Sequence, residues 1–177
     1  GTYKKDERDF YIKWDTPFKI SDDAKRITRY NESFVNKNGK EPKDVFPIIK
    51  KWLDGADYIV GHNIIGFDIY LIKEMYKMFG EDYKHLVPKL IDTNCIARGV
   101  KMEIPYKPEE DFTEYQYRIV NTRRKGVRSS LTALGKEFNI DHDYDKLNYW
   151  WDTPTDILKA WDKMAVDIKS TVNTSTP

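Results

Sequence analysis

The chain of 177 residues has little cysteine and no long apolar run. Its single cysteine, Cys95, excludes an internal disulfide and favours a reducing compartment. No apolar stretch reaches the length that a transmembrane helix needs, and residues 1–5 lack the apolar segment of a signal peptide. The composition therefore predicts an intracellular, soluble protein that has no membrane partner.

The chain also has almost no net charge, because 30 Lys and Arg residues are balanced by 29 Asp and Glu residues, for a formal net charge of +1. This balance lacks the basic excess that many nucleic-acid-binding proteins show. It does not exclude such binding, since a groove needs only local positive charge. Apolar residues make up 40% of the chain and include five tryptophans, which is enough for a folded core. We expect one domain over residues 1–177.

Short apolar runs alternate with amphipathic segments along much of the chain. Strands are predicted at residues 10–14, 58–61 and 89–93, because these runs are short and rich in β-branched or aromatic residues. Helices are predicted after Ser21, from Pro42 to Gly55, around Leu71, after Asp92 or Thr93, after Ser130, and over residues 157–172. This alternation indicates an α/β fold with a mixed central sheet flanked by helices.

Residues 101–128 differ in kind from the rest of the chain. Acidic residues come first, between Glu109 and Glu114, and basic residues follow, with little periodicity. We expect a loop or an inserted hairpin here, in which residues 115–120 alternate enough to form a strand. The basic residues that could grip a nucleic-acid backbone are Arg123, Arg124 and Arg128. An ordinary charged surface loop explains them equally well.

The sharpest local pattern lies in residues 60–68. The carboxylate of Asp68 comes shortly after a strand, and Gly61 and Gly66 allow close approach to the backbone. This arrangement suits a metal or phosphate site. The alternative is a plain strand-to-helix turn in which Asp68 caps the helix or faces solvent.

Several segments in order resemble one known family. Asn63, Phe67 and Asp68 form the pattern Asn-x-x-x-Phe-Asp, and residues 90–93 look like the strand that follows it. Residues 131–140 look like a helix with a Leu-x-x-Leu pattern, and residues 164–171 hold Asp167 with a threonine one helical turn later. From about residue 10 to residue 172, the chain resembles the DnaQ-like 3′→5′ exonucleases of the RNase H-like class.

This resemblance implies hydrolysis of phosphodiester bonds with two divalent ions, Mg²⁺ or Mn²⁺. In that family four carboxylates hold the two ions about 4 Å apart, and Asp68 and Asp167 would be two of the ligands. The residues that would contact the nucleic acid are His62, Asn63 and Phe67. The implied substrate is DNA with a free 3′ end, or alternatively RNA.

The resemblance also bears on the partners and the location of the protein. A polymerase would be the partner if the domain proofreads. The composition, rich in Lys, Asn and Tyr, suits an AT-rich genome. We expect a cytoplasmic protein of a bacterium, or one that a phage or virus encodes.

Two parts of the family pattern are missing from this sequence. The opening Asp-x-Glu motif, which supplies two carboxylates, does not occur, and residues 6–9 are a charge run without an apolar strand around them. We therefore expect the first strands to be supplied by a missing N-terminal segment. The position five residues before Asp167, where one branch has a catalytic histidine, holds Asp162. This aspartate would act as a weak base or replace a native histidine. The tyrosine position of the other branch holds Lys163.

Two hypotheses of different kinds follow. In the first, the chain is a 3′→5′ exonuclease completed by a further segment. In the second, it is a catalytically degenerate exonuclease-like module that binds nucleic acid or protein. Because two carboxylates out of four hold a metal pair poorly, we expect little or no activity from the chain as it stands. An unrelated α/β domain with a chance motif is a third, weaker interpretation.

Overall fold

The computed structural model describes residues 6, 8–13, 19–28 and 30–139. The predicted helix over residues 157–172 lies outside the described residues, as do Asp162 and Asp167. The chain divides into two compact units, one formed by residues 46–134 and the other by residues 1–45 and 135–177. The prediction of one domain over residues 1–177 stays a prediction.

In the second of these units, two short helices begin at residues that cap them. Helix α1 (Asp22–Thr28) follows Ser21, whose hydroxyl accepts the backbone N–H of Ala24 at 3.2 Å. Helix α2 (Glu32–Asn38) follows Asn31, whose side chain caps it in the same way. Within the described part of residues 10–14, the predicted strand is reduced to one parallel bridge between Ile12 and Lys40.

Helix α3 (Pro42–Gly55) begins and ends where the sequence predicts. Proline is tolerated at the first helical position, because the N–H that it lacks would have no partner within the helix there. Val45 and Phe46 are buried on the inner face of α3.

The unit formed by residues 46–134 contains a small parallel sheet. Strand β1 (Ile59–Gly61) pairs with strand β2 (Leu90–Asp92), and their last residues, Gly61 and Asp92, lie opposite each other. The connection between them contains helix α4 (Asp68–Met78) and a 3₁₀ helix (Lys84–Lys89). Helices α5 (Thr93–Lys101), α6 (Phe112–Asn121) and α7 (Leu131–Glu137) follow. Parallel strands joined through a helix confirm the predicted α/β class.

The main core of this unit packs the inner sides of α3 and α4 against the two strands. Its buried residues include Phe46, Ile64, Tyr76, Leu86 and Leu90. A second cluster around Cys95, Tyr115 and Ile119 joins α5 to α6. Cys95 is buried and free, as expected of a core residue.

The prediction of a loop or hairpin over residues 101–128, with a strand at 115–120, is wrong at its centre. Helix α6 occupies this segment. Its capping box is complete, because the Asp111 carboxylate accepts the N–H of Glu114 at 2.8 Å and the Glu114 carboxylate accepts the N–H of Asp111 at 3.1 Å. Tyr115 and Ile119 are buried one helical turn apart, whereas Tyr117 between them is 40% exposed.

Candidate functional site

The candidate site lies at the edge of the sheet where β1 and β2 both end. Residues 62–67 turn away from β1 toward α4, and α5 begins directly after β2. Because the two strands are parallel and in register at Gly61 and Asp92, the polar residues that follow them lie at the same edge. Ligands of open α/β sheets bind at such carboxyl ends.

Asp92 organises this edge with a fully buried carboxylate. One of its oxygens, Oδ1, lies 2.9 Å from the N–H of Asn63 and 2.9 Å from that of Asn94, and it also accepts from Cys95 at 3.3 Å. The other oxygen, Oδ2, accepts the N–H of Ile65 at 3.1 Å. Of the two residues predicted to cap α5, Asp92 or Thr93, Asp92 is the cap in the structure. The same carboxylate also fixes the turn after β1.

A buried glutamine bonds to the backbone of β2 at and near Asp92. Gln116 of α6 accepts the N–H of Asp92 at 2.6 Å and donates to the carbonyl of Leu90 at 2.9 Å. The side chain amide thus extends the sheet by pairing with the open edge of β2. Sequence reasoning missed Gln116, because α6 was predicted as a strand or loop.

The turn presents Asn63 in a conformation that few residues adopt. Its φ of 66° lies in the left-handed region, where asparagine is one of the more tolerated residues. Its carbonyl accepts the N–H of Gly66 at 3.0 Å. A Cβ at Gly66 would lie 2.5 Å from Oδ1 of Asn63, so a larger residue there would displace the amide. The amide of Asn63 is exposed beside the start of α4.

Asp68 is the first residue of α4, directly after Phe67, whose ring is 60% exposed. Partial burial raises the pKa of the Asp68 carboxyl above its usual range, and the negative charge of Asp92 acts in the same direction. A hydrogen bond from the backbone N–H of Asp68 opposes both effects. A half-buried carboxyl with a raised pKa at a strand-end edge is typical of a functional group.

His62 ties the turn to α5 and to the segment after α6. Its Nδ1 lies 3.0 Å from the hydroxyl of Thr93. Burial lowers the pKa of His62, although the charge of Asp92 and a backbone hydrogen bond with Ser129 act in the opposite direction. The Ser129 contact brings the loop after α6 back to the candidate site.

The three arginines of that loop are exposed and are distributed unequally with respect to the site. Arg128 is next in sequence to Ser129, which contacts His62. The guanidinium of Arg124 instead donates to the carbonyl of Met102 at 3.2 Å, at the C-terminal end of α5. Because α5 rises about 1.5 Å per residue, this end lies roughly 13 Å from the end at the site. Arg123 neighbours Arg124.

The described residues do not complete a metal centre. No group of three or more His, Cys, Asp or Glu side chains within the described part of the chain could hold an ion. The four backbone N–H groups leave little acceptor capacity on Asp92, since a carboxylate offers about four lone-pair sites. Of the two predicted metal ligands, Asp68 lies among these residues and Asp167 lies outside them.

The described residues thus form an α/β unit in which polar side chains gather where two parallel strands end. The sequence profile of the exonuclease family matches residues 2–145. The chain therefore belongs to the exonuclease family, the DnaQ-like group that its motifs resemble, and its fold is of the RNase H-like class. No curated protein and no solved structure gives a match.

Family membership implies a nuclease function and a nucleic-acid substrate. Nucleases of this family typically use divalent metal ions. Among the described residues, no helix is both long and apolar enough to cross a bilayer.

Proposed function

We propose that the chain is a 3′→5′ exonuclease domain that acts on DNA with a free 3′ end. The observation that carries this proposal is the position of Asp68. Its half-buried carboxyl starts α4 directly after the exposed Phe67, at the end of the turn that Asp92 fixes, and the charge of Asp92 acts on its pKa. In a chain of the exonuclease family, this is the place for a carboxylate that acts on a phosphodiester.

The surrounding side chains have separate roles in this proposal. The exposed ring of Phe67 offers a surface on which the terminal base stacks. The exposed amide of Asn63 is held by the turn and bonds to the sugar or phosphate. Arg128, near His62, attracts the backbone, whereas Arg123 and Arg124 contact it farther from the site. A polymerase is the proposed partner if the domain proofreads.

Asp68 and Asp167 are the proposed ligands of Mg²⁺ or Mn²⁺, because hard divalent ions prefer carboxylate oxygens. Asp162 is proposed as the group that occupies the position of the general base. Of these three residues, Asp68 lies in the described part of the chain, and Asp162 and Asp167 lie outside it.

A second candidate function is a binding module of the same fold that does not cleave. The observation that favours it is the sequence of residues 1–177, which contains no Asp-x-Glu motif and therefore lacks two carboxylates of the family pattern. Such a module would keep the turn at Asn63 and Phe67 and lose hydrolysis.

A cleavage assay separates the two candidates. The chain is incubated with Mn²⁺ and single-stranded DNA labelled at its 5′ end, and the length of the label is followed over time, with RNA of the same sequence in parallel. Asp68→Asn should reduce stepwise shortening by about 100-fold or more. Asp57→Asn, which changes an exposed aspartate before β1, serves as the matched control.

Stepwise shortening that needs Asp68 and does not need Asp57 supports the exonuclease. Tight binding of DNA by the wild type without any shortening favours the binding module. If the wild type neither binds nor shortens the DNA, both candidates are contradicted.

A further inference from the structure

The loop between α6 and α7, residues 122–130, lies in a strongly basic stretch of the chain. Residues 115–136 contain six basic residues and no acidic one, whereas the two signs nearly balance over the whole sequence. Four of these six cations belong to the loop and are exposed: Arg123, Arg124, Lys125 and Arg128. We call residues 122–130 the basic loop. Its local field is positive although the chain as a whole is nearly neutral.

The basic loop is fixed on the last turn of α5 by three hydrogen bonds. Arg98 donates to the carbonyl of Thr122, where the loop begins. Lys101 donates to the carbonyl of Arg128 at 2.7 Å. In the opposite direction, Arg124 donates to the carbonyl of the residue that caps α5, at 3.2 Å. Because these bonds hold the loop in place, a ligand that binds its side chains has less disorder to remove.

The side chains of the basic loop divide into anchors and outward-facing cations. Val127 packs on the second core cluster and Arg124 bonds to α5, so both hold the loop to the fold. In the part of the chain that the structure describes, no hydrogen bond and no ion pair within 4.0 Å involves the side chains of Arg123, Lys125 or Arg128. The contacts that fix the loop therefore do not explain these three cations.

Acidic side chains near the loop do not pair with the three cations. Both oxygens of the Glu110 carboxylate accept from Arg118, at 2.6 Å each. Glu103 follows α5 directly after its cap, and among the described residues it forms no ion pair within 4.0 Å. The loop therefore presents a positive surface, which attracts a ligand that carries several negative charges.

The basic loop also leads to the candidate site. Ser129 near its end forms a backbone hydrogen bond with His62, so Arg128 lies at the end of the loop that is near the site. Arg123 and Lys125 lie toward the other end of α5, roughly 13 Å away, where the residue between them is anchored. A nucleic-acid strand covers that distance in about four nucleotides when its bases are stacked, at ~3.4 Å each.

We propose that the basic loop holds the phosphates of one nucleic-acid strand over about four nucleotides, counted from the strand end that lies in the candidate site. Arg128 binds a phosphate near that end, and Arg123 and Lys125 bind phosphates farther along the strand. The occupant is nucleic acid, because a row of cations matches a row of phosphates and the loop belongs to a chain of the exonuclease family. The placement of the strand end rests on the proposed function.

The test compares binding of a single-stranded DNA dodecamer with binding of a dinucleotide that carries a 5′ phosphate. Both are titrated against the whole chain in EDTA, so that no metal-dependent cleavage interferes. Arg123→Gln and Lys125→Gln should each weaken binding of the dodecamer by roughly 5- to 10-fold at about 50 mM salt and reduce the slope of log affinity against log salt by about 0.7. Binding of the dinucleotide should stay within about twofold of the wild type, because it is too short to reach them.

Three further variants serve as controls. Arg128→Gln should weaken binding of both ligands, because even the dinucleotide reaches the end of the loop near the site. Lys51→Gln removes an exposed cation of α3, outside the loop, and should leave both affinities unchanged. Arg123→Lys keeps the charge and should retain most of the affinity for the dodecamer that Arg123→Gln loses. Circular dichroism melting checks that each variant is folded.

If Arg123→Gln and Lys125→Gln bind the dodecamer as tightly as Lys51→Gln does, the proposal is overturned. A loss of affinity that is as large for the dinucleotide as for the dodecamer also overturns it, since the strand would then not run along the loop. Shortening of the dodecamer with Mn²⁺ is measured separately. Shortening without any effect of the loop variants on binding leaves the exonuclease standing. Binding that depends on the loop without shortening supports the loop and contradicts the exonuclease.

Discussion

At the scale of single residues, Asp92 determines the shape of the candidate site more than any side chain within it. The Asp92 carboxylate is buried and holds backbone N–H groups of residues 63 and 65 on one side and 94 and 95 on the other. It thus connects the turn after β1 with the start of α5. Asp68 follows this turn directly, so its position depends on Asp92. In this sense Asp92 is a positioning residue.

We predict that Asp92→Ala destabilises the chain by about 2–5 kcal/mol. The substitution leaves several buried N–H groups without an acceptor, and each such group costs about 1–3 kcal/mol, in part relieved by water. Urea unfolding followed by circular dichroism measures the loss, with Asp57→Ala as a control at an exposed aspartate. A loss below about 0.5 kcal/mol would show that the turn does not depend on Asp92.

A substitution at Asp68 should have the opposite effect on stability to Asp92→Ala. The pKa of Asp68 is raised by burial and by the charge of Asp92, so the folded state disfavours its ionised form. Ionisation of Asp68 therefore costs the wild type no stability below the pKa of the unfolded chain, about 3.9. The free energy of unfolding falls as the pH rises from there through the higher pKa of the folded state. Asp68→Asn removes this ionisation.

We accordingly predict that Asp68→Asn raises Tm at pH 7 by on the order of 1–2 °C, the shift of a sub-kcal/mol effect in a chain of this size. Near pH 3 the two proteins should melt together, because Asp68 is then protonated. Scanning calorimetry at both pH values checks this. A variant that melts lower than the wild type at pH 7 would contradict the raised pKa.

At the scale of helices and strands, the sequence predicts those elements whose ends depend on local chemistry. Ser21, Pro42, Gly55 and Ser130 start or stop helices through their own side chains or backbone, within three or four residues. Such short-range signals are readable without a fold. The last helix predicted, over residues 157–172, lies outside the described residues.

The sequence does not predict those features of the fold that depend on contacts between residues far apart along the chain. Helix α6 was predicted as a strand because Tyr115, Tyr117 and Ile119 alternate, and its capping box at Asp111 was the local signal that could have corrected this. For the site, the motif locates Asn63 and Asp68 in the turn. The bonds from Asp92 to that turn join residues 27 and 29 positions apart, which only the folded sheet reveals.

The contact between α5 and α6 leads to a prediction about Gly99. A Cβ at this position would lie 2.1 Å from the hydroxyl oxygen of Tyr115. The ring of Tyr115 has little room to retreat, because it stacks on Tyr106 at 4.1 Å and its hydroxyl donates to the Ile104 carbonyl at 3.0 Å. Gly99→Ala should therefore destabilise the chain by about 1–3 kcal/mol despite the better helix propensity of alanine.

A double mutant separates this clash from other effects. Tyr115→Phe removes the oxygen that the new methyl group meets, so Gly99→Ala should cost less in that background. Gly55→Ala is the matched control, since a Cβ there meets no atom within 4 Å, and it should change stability by less than about 0.5 kcal/mol. Equal costs of Gly99→Ala in both backgrounds would exclude the Tyr115 hydroxyl as the cause.

At the scale of the whole molecule, acidic and basic residues nearly balance. The pH dependence of stability therefore comes mainly from local clusters of charged side chains. The largest described cluster centres on Asp54 at the end of α3. Its carboxylate accepts from the hydroxyl of Tyr76 at 2.9 Å, lies 2.7 Å from Nε2 of His85, and pairs with Lys50. The Asp54 carbonyl also accepts from Lys89 at 2.8 Å. One residue thus links α3, α4 and the 3₁₀ helix.

The pKa of Asp54 determines the pH range over which this cluster stabilises the fold. Burial raises the pKa, but hydrogen bonds with Lys50, His85 and Tyr76 outweigh burial and hold it far below its usual value. A lowered pKa in the folded state means that the contribution of Asp54 to stability is complete above about pH 3.9, the value in the unfolded chain. It is lost as the pH falls further, toward the pKa of the folded state.

We predict that Asp54→Asn lowers Tm at pH 7 by roughly 2–4 °C, which corresponds to about 1 kcal/mol for a chain of this size. The difference from the wild type should shrink as the pH falls from 4 toward 2, because the unfolded wild type then takes up a proton on Asp54 while the folded state still holds this carboxylate ionised. Asp57→Asn, at an exposed position of the same unit, should melt like the wild type throughout. A difference that stays constant from pH 7 to pH 2 would mean that Asp54 stabilises the fold by packing and neutral hydrogen bonds, and that its charge contributes nothing.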